Sequence, residues 1–199
     1  MQPKLGLIVF SLALLLGAAI KELPPLLWLE VEPSQGLPVS FWHLLSAHFV
    51  HFNLYHALLN IAGVWLCYGL AYELFNRYLP LKVIFLALGI SLGLWLFSAE
   101  AFIYAGFSGV LYGLFVLGLL PKAIKRDRTA AFALVCILGW LLWQLFIGGP
   151  EAEKALIGGE IASEAHTYGC ALAVLWLVLA GAIKALSKTA RFIKMATFF

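Results

Sequence analysis

The sequence predicts an all-α polytopic membrane protein with six transmembrane helices, and three observations carry that prediction. First, 63% of the 199 residues are hydrophobic and only 12% are charged, against about 45–50% and about 25% in an ordinary soluble domain. A water-soluble globule of this size has no way to cover its surface with so few polar side chains. Second, the charged residues cut the chain into apolar runs, most of them close to the ~20 residues that a membrane helix needs. Third, the basic residues are distributed unevenly among the segments between those runs. A net charge of +3 is too small to mark a nucleic-acid partner, and composition this apolar excludes a disordered chain.

The spans fall at about 5–20, 53–72, 81–98, 107–120, 129–147 and 165–183, within a single membrane domain covering 1–199. The first resembles a signal peptide, since Lys4 precedes an uncharged run from Leu5 to Ile20 with Gly17-Ala18-Ala19 near its end. It is expected to be retained, because the charge map needs it. With a cytoplasmic N-terminus, all of the 13 lysines and arginines except Lys21 and Lys154 lie inside. Most of the acids (Glu22, Glu30, Glu32, Glu100, Glu151, Glu153, Glu160 and Glu164) lie outside, leaving Glu73 and Asp127 inside. Both termini are therefore expected in the cytoplasm. Cys67, Cys136 and Cys170 sit in apolar runs, and their odd number implies no closed disulfide framework. The apolar, proline-interrupted stretch Leu23–Leu29 is expected at the membrane interface, and Gly148-Gly149 and Gly158-Gly159 are expected to bound a flexible external loop.

The fourth span is short. Phe107 to Leu120 is 14 residues before Pro121 and Lys122, about 21 Å of helix against a hydrocarbon core of about 30 Å. The residues before it, Ala101 to Gly106, are expected to dip into the membrane as irregular backbone around a hydrated pocket opening outward. Ser108 stands at the floor of that pocket.

Polar residues at the same depth suggest chemistry. His43, His48, His51 and His56 cluster in sequence, and His166 opens the last span. His56 and Asn60 share a helix face, as do Ser108 and Tyr112. Gly109 and Gly113, facing Gly169 and Ala173, permit close approach of the fourth and sixth helices. Such packing brings a serine hydroxyl toward an imidazole that can take its proton. The Ser108 N–H, His56 and Asn60 are candidate donors to a tetrahedral oxyanion. No acid is at hand to orient His166, so a dyad is expected, cleaving a peptide bond inside the bilayer. Each element has a plainer reading: a serine bonded to its own helix, a packed histidine, a glycine seam. The histidine cluster lacks HExxH spacing and a paired carboxylate, so neither a metal nor a cofactor is expected.

Together these residues resemble the rhomboid family of intramembrane serine proteases. The family's GxSG stands here as Gly106-Phe107-Ser108-Gly109, followed by Tyr112; its His-x4-His-x3-Asn pattern as His51, His56 and Asn60; its Ala-His-x2-Gly as Ala165, His166 and Gly169. The resemblance implies Ser108 as nucleophile and His166 as base, with Tyr112 packed on the imidazole. It also implies an oxyanion hole of His56, Asn60 and the Ser108 amide, with His51 structural. The family's Trp-Arg pair is Trp42-His43 here, and Ala173 replaces a glycine. Within the family the chain looks like a rhombosortase. Its compact length, the run His51–Asn60 and the run Gly139–Gln144 point that way. That branch implies a bacterial cytoplasmic membrane with the site on the periplasmic side. It also implies substrates bearing a C-terminal Gly-Gly motif and transmembrane tail, with water or a phospholipid amine as the acceptor. A general rhomboid protease and a non-catalytic binder of membrane helices are the alternatives.

Overall fold

The computed structural model describes residues 3–20, 26–31 and 40–196. Its elements run α1 (Pro3–Ala19), β1 (Leu29–Val31), α2 (His43–Ser46), α3 (Leu54–Leu70), α4 (Leu79–Phe97), β2 (Phe102–Tyr104), α5 (Ser108–Ile124), α6 (Arg128–Ile147), α7 (Glu151–Ile157) and α8 (Ser163–Ala196). Three helices are long and apolar enough to cross a membrane: α4, α6 and the part of α8 from Ser163 to Ser187. Three more, α1, α3 and α5, are apolar but shorter. The stretch Leu23–Pro25 lies outside the described residues.

At 17 residues each, α3 and α5 are about 26 Å long, ~5 Å short of a hydrocarbon core. Two sequence expectations change here. The helix that starts at Ser108 does not end at Leu120, because Pro121 is incorporated within it. A proline removes one backbone donor and crowds the carbonyl four residues earlier, yet the following turn is held from outside. The Lys122 ammonium donates to the Leu70 carbonyl at 2.9 Å and pairs with Glu73 at 3.6 Å. Shortness is also not peculiar to α5. Its position is what sets it apart: it packs against α3, α4, α6 and α8, and Gly109, Val110, Leu114 and Leu119 are among its buried residues.

The segment before α5 is irregular only in part, at Ala101, Ala105 and Gly106. β2 pairs antiparallel with β1, with Leu29 opposite Tyr104 and Val31 opposite Phe102. The Gly106 N–H continues outward to the Ala47 carbonyl at 2.9 Å. Backbone polar groups sequestered from water need partners, and a small two-stranded ribbon supplies them. The all-α expectation is corrected to that extent. Likewise the glycine-bounded loop carries α7. A short helix capped by Gly158 in the left-handed conformation (φ 76°) is an ordered element.

The tightest seam lies between α5 and α8. A Cβ at Gly169 would collide with the Gly109 carbonyl oxygen, and one at Gly113 would lie 2.9 Å from the Gly169 carbonyl. Ala165 packs against Gly109 at one end of the seam, and Ala173, one turn beyond Gly169, is likewise at 0% exposure. The helix α8 itself runs 34 residues, about 51 Å, well beyond the span 165–183.

The seam is expected to tolerate no added atom. Gly169→Ala should destabilise the fold by about 1–3 kcal/mol. Gly139→Ala, where the added carbon meets open space, should be neutral or stabilising by up to ~1 kcal/mol. Thermal unfolding of the two variants side by side in detergent measures both.

Candidate active site

Ser108 is the first residue of α5. The chain enters it through Gly106, whose φ of +118° lies in a region that only glycine adopts without strain. A side chain there would also strike the His56 ring, with a Cβ 2.6 Å from Nε2. The serine therefore sits on a sharp turn at a helix N-terminus, where the first-turn N–H groups have no partner inside the helix and the helix dipole favours negative charge.

His166 lies in the first turn of α8, at 5% exposure. Its Nε2 is 2.9 Å from Ser108 Oγ. The Tyr112 ring stacks on the imidazole, with centroids 4.3 Å apart and planes at 18°. Nδ1 is 3.0 Å from Gln144 Oε1. An amide oxygen only accepts, so Nδ1 donates to it. The Nε2 lone pair then faces the serine, whose hydroxyl donates.

His56 and Asn60 project from α3 one turn apart, both buried. Asn53 caps this helix by accepting from the His56 N–H at 2.9 Å, and its amide donates to Leu156 of α7 at 3.0 Å. The Asn60 amide donates to the His56 carbonyl at 2.9 Å. His51 meets His56 edge-on, with centroids 4.8 Å apart, and Phe52 stacks on the other side at 5.7 Å. Both ring nitrogens of His51, Nδ1 of His56 and Oδ1 of Asn60 have no partner among the described residues.

Ser108, His166, Tyr112, His56, Asn60 and Gln144 all line one cavity of about 130 Å³. Glu153 and Ile157 of α7 form part of its wall. Burial pushes the Glu153 carboxyl above the usual carboxylate range, and the nearby Gln144 amide opposes that shift.

The sequence-predicted residues thus converge, but the four clustered histidines diverge. His43 Nε2 bonds to the Leu26 carbonyl at 3.0 Å, a single anchor where a guanidinium would offer two. His48 reaches the Ala87 carbonyl at 2.9 Å, Ser91 at 3.0 Å and the Tyr104 hydroxyl at 3.2 Å. Tyr104 in turn donates to the Gly106 carbonyl at 3.1 Å. Among the described residues no group of three or more His, Cys, Asp or Glu converges as a metal ligand set. One residue beside His166, Gln144, and one on the cavity wall, Glu153, escaped the sequence reading of a dyad with no third group. Gln144 was visible as a polar residue inside an apolar run, which by itself marks a position worth explaining. Glu153 became relevant only once α7 folded over the cavity.

A serine and an imidazole held together inside a bundle of apolar helices have the make-up of an intramembrane serine protease. The rhomboid-domain family profile matches residues 38–183, and the chain belongs to the rhomboid family. Its members are intramembrane serine proteases that act on membrane-protein substrates within the bilayer, and the chain is a multi-pass membrane protein. A comparison with curated proteins finds no match.

Gly106→Ala should strain the turn before Ser108 by about 1–3 kcal/mol and displace the His56 ring. Slower labelling of Ser108 by a fluorophosphonate, with a lowered unfolding temperature, is the expected result.

Proposed function

We propose that the chain is an intramembrane serine protease in which Ser108 is the nucleophile and His166 the general base. One observation carries the reading: the 2.9 Å hydrogen bond between Ser108 Oγ and His166 Nε2 at the wall of a cavity. Ser108 Oγ attacks the scissile carbonyl carbon as its proton passes to Nε2. The carbonyl oxygen becomes an oxyanion, for which the Ser108 N–H, the His56 ring and the Asn60 amide are the donors. Preorganised donors of this kind contribute roughly 10²–10³-fold each. The C–N bond then breaks, and the leaving nitrogen takes the proton from Nε2. The acyl ester on Ser108 is opened by a nucleophile that Nε2 deprotonates, and the serine recovers its hydrogen. Tyr112 holds the imidazole face throughout, while Gly106, Gly109, Gly169 and His51 shape the surrounding packing. A helix is about 10 Å across, so the cavity suits an extended segment rather than an intact substrate helix.

In this reading the six apolar helices all cross the bilayer, as one domain over 1–199. Both termini are cytoplasmic and the cavity opens outward, to the periplasm of a bacterium. The distribution of lysine and arginine supports the orientation. The runs His51–Asn60 and Gly139–Gln144 support a rhombosortase, which cuts proteins with a C-terminal Gly-Gly motif and membrane tail. An ester on Ser108 accepts either water or the amine of a phospholipid headgroup.

Ser108→Ala and His166→Ala should each lower kcat for a tail-anchored reporter by at least about 10⁴-fold while leaving unfolding temperature near wild type. Undiminished cleavage by Ser108→Ala refutes the mechanism. With a Gly-Gly-tailed substrate, mass spectrometry of the new C-terminus should place the cut at the Gly-Gly motif and identify a free acid or an amine conjugate. Cleavage indifferent to replacement of the two glycines would instead assign a general rhomboid protease.

A further inference from the structure

Gly106 is buried, and its two backbone groups are tied in different ways. Its N–H donates to the Ala47 carbonyl at 2.9 Å, which anchors the peptide before it. Its carbonyl belongs to the next peptide, the one that leads through Phe107 to Ser108. The only hydrogen-bond partner of that carbonyl among the described residues is the Tyr104 hydroxyl, at 3.1 Å. A buried carbonyl is ordinarily answered by a backbone N–H. Here a side chain at the end of β2 does it instead.

Proton accounting shows how scarce that donor is. Ser91 Oγ spends its hydrogen on the Leu44 carbonyl at 2.7 Å. His48 Nε2 faces the Ala87 carbonyl at 2.9 Å and Ser91 Oγ at 3.0 Å. Both of those oxygens then only accept, so Nε2 carries the ring proton, and a neutral ring leaves Nδ1 as an acceptor. Nδ1 stands 3.2 Å from the Tyr104 hydroxyl. The phenol therefore has one hydrogen for two acceptors, His48 Nδ1 and the Gly106 carbonyl. Both distances exceed the about 2.7–2.8 Å usual for an O–H donor, as one hydrogen divided between two acceptors gives. Tyr104 is 2% exposed and His48 0%, so losing that hydrogen would orphan two buried acceptors at once.

We propose that Tyr104 is a positioning residue for catalysis: its hydroxyl, steadied by His48, fixes the Gly106–Phe107 peptide and through it the direction of the Ser108 N–H offered to the oxyanion. Glycine at φ +118° has no Cβ to restrict the peptide that follows it, so the hold must come from outside. The Ser108 N–H lies one peptide further on, and an oxyanion donor contributes most when its direction is set before charge develops. The phenol oxygen is also wedged against the first turn of α5, 3.0 Å from where a Cβ on Gly109 would stand. Tyr104 lines the cavity, but with its hydrogen committed to the turn it acts through Ser108 and not on the substrate. This rests on the Ser108–His166 reading, and it adds a residue outside both the dyad and its oxyanion donors.

Two measurements on the full-length protein test it. In steady-state cleavage of the tail-anchored reporter, Tyr104→Phe, which removes a single oxygen, should lower kcat roughly 10- to 50-fold at unchanged KM, less than the loss of a whole oxyanion donor. A merely structural role predicts a lower unfolding temperature with kcat per folded molecule unchanged. The second readout does not depend on activity. Gly106-Phe107 is the one Gly-Phe pair in the sequence, so carbonyl-13C glycine with nitrogen-15 phenylalanine labels that single peptide. In the wild type its carbonyl carbon should show an isotope shift when the phenol is deuterated, and Tyr104→Phe should abolish it. If Tyr104→Phe does not fold, the wild type still decides: the isotope shift should persist when Ser108 carries a phosphonyl group, and its absence in either state overturns the proposal. A Tyr104→Phe enzyme with kcat within about twofold of wild type overturns it too. A wild type that shows the isotope shift but no Ser108-dependent cleavage would overturn the protease reading and leave the hold of the phenol on the turn standing.

Discussion

The contact on which the rest of the structure depends is the approach of α8 to α5 at Gly169. A backbone carbonyl, that of Gly109, occupies the place where a Cβ would be. Only at that separation do the first turns of the two helices bring Ser108 and His166 to 2.9 Å. One extra carbon would move the helices apart by a large fraction of a hydrogen-bond length, and hydrogen bonds weaken steeply beyond about 3.2 Å. The same closeness lets Tyr112, one turn below the serine, stack on the imidazole. Glycine, costly in a solvent-exposed helix, is here the residue that sets the geometry.

A second constraint is that polar groups in an apolar bundle must find partners or be costly. The chain meets it with small closed networks. Ser91 donates to the Leu44 carbonyl at 2.7 Å while His48 meets Ser91 and the Ala87 carbonyl. Tyr104 links His48 to Gly106, and Gly106 returns to Ala47. This network sews the segment around α2 to α4 and holds the strand and turn that lead into Ser108. The turn's unusual φ is therefore over-determined from several sides, as local strain must be to persist. Both ring nitrogens of His51 and Nδ1 of His56, which have no partner among the described residues, stand out against that background, and His56 is itself one of the donors that the proposed mechanism uses.

Much of this was legible in the sequence because the signals are local or strongly periodic. Six apolar runs correspond to α1, α3, α4, α5, α6 and α8, with ends shifted by no more than four residues except at the long C-terminal end of α8. Ser108, His166, His56 and Asn60 stood out because polar groups in apolar runs are few. What was not legible depends on contacts between distant segments. Pro121 reads as a stop until Lys122 is seen bonded to Leu70 and Glu73. The residues before Ser108 read as irregular until Leu29–Val31 arrives as their partner strand. Residues 151–157 read as loop because a seven-residue helix has no amphipathic stripe long enough to declare itself. Gln144 had a polar side chain in the right kind of place, but nothing in the sequence aims it at His166.

The use of an amide beside that histidine follows from the surroundings. A carboxylate there would stabilise the imidazolium that forms as Ser108 loses its proton, but ionised groups are costly to bury among apolar helices. An amide costs less to bury and still accepts from Nδ1–H. What it gives up is charge, and what it lacks is a built-in direction. Glu153 and Ile157 complete the cavity wall beside that amide, so α7, the element least visible in the sequence, belongs to the site as much as the helices that carry serine and histidine.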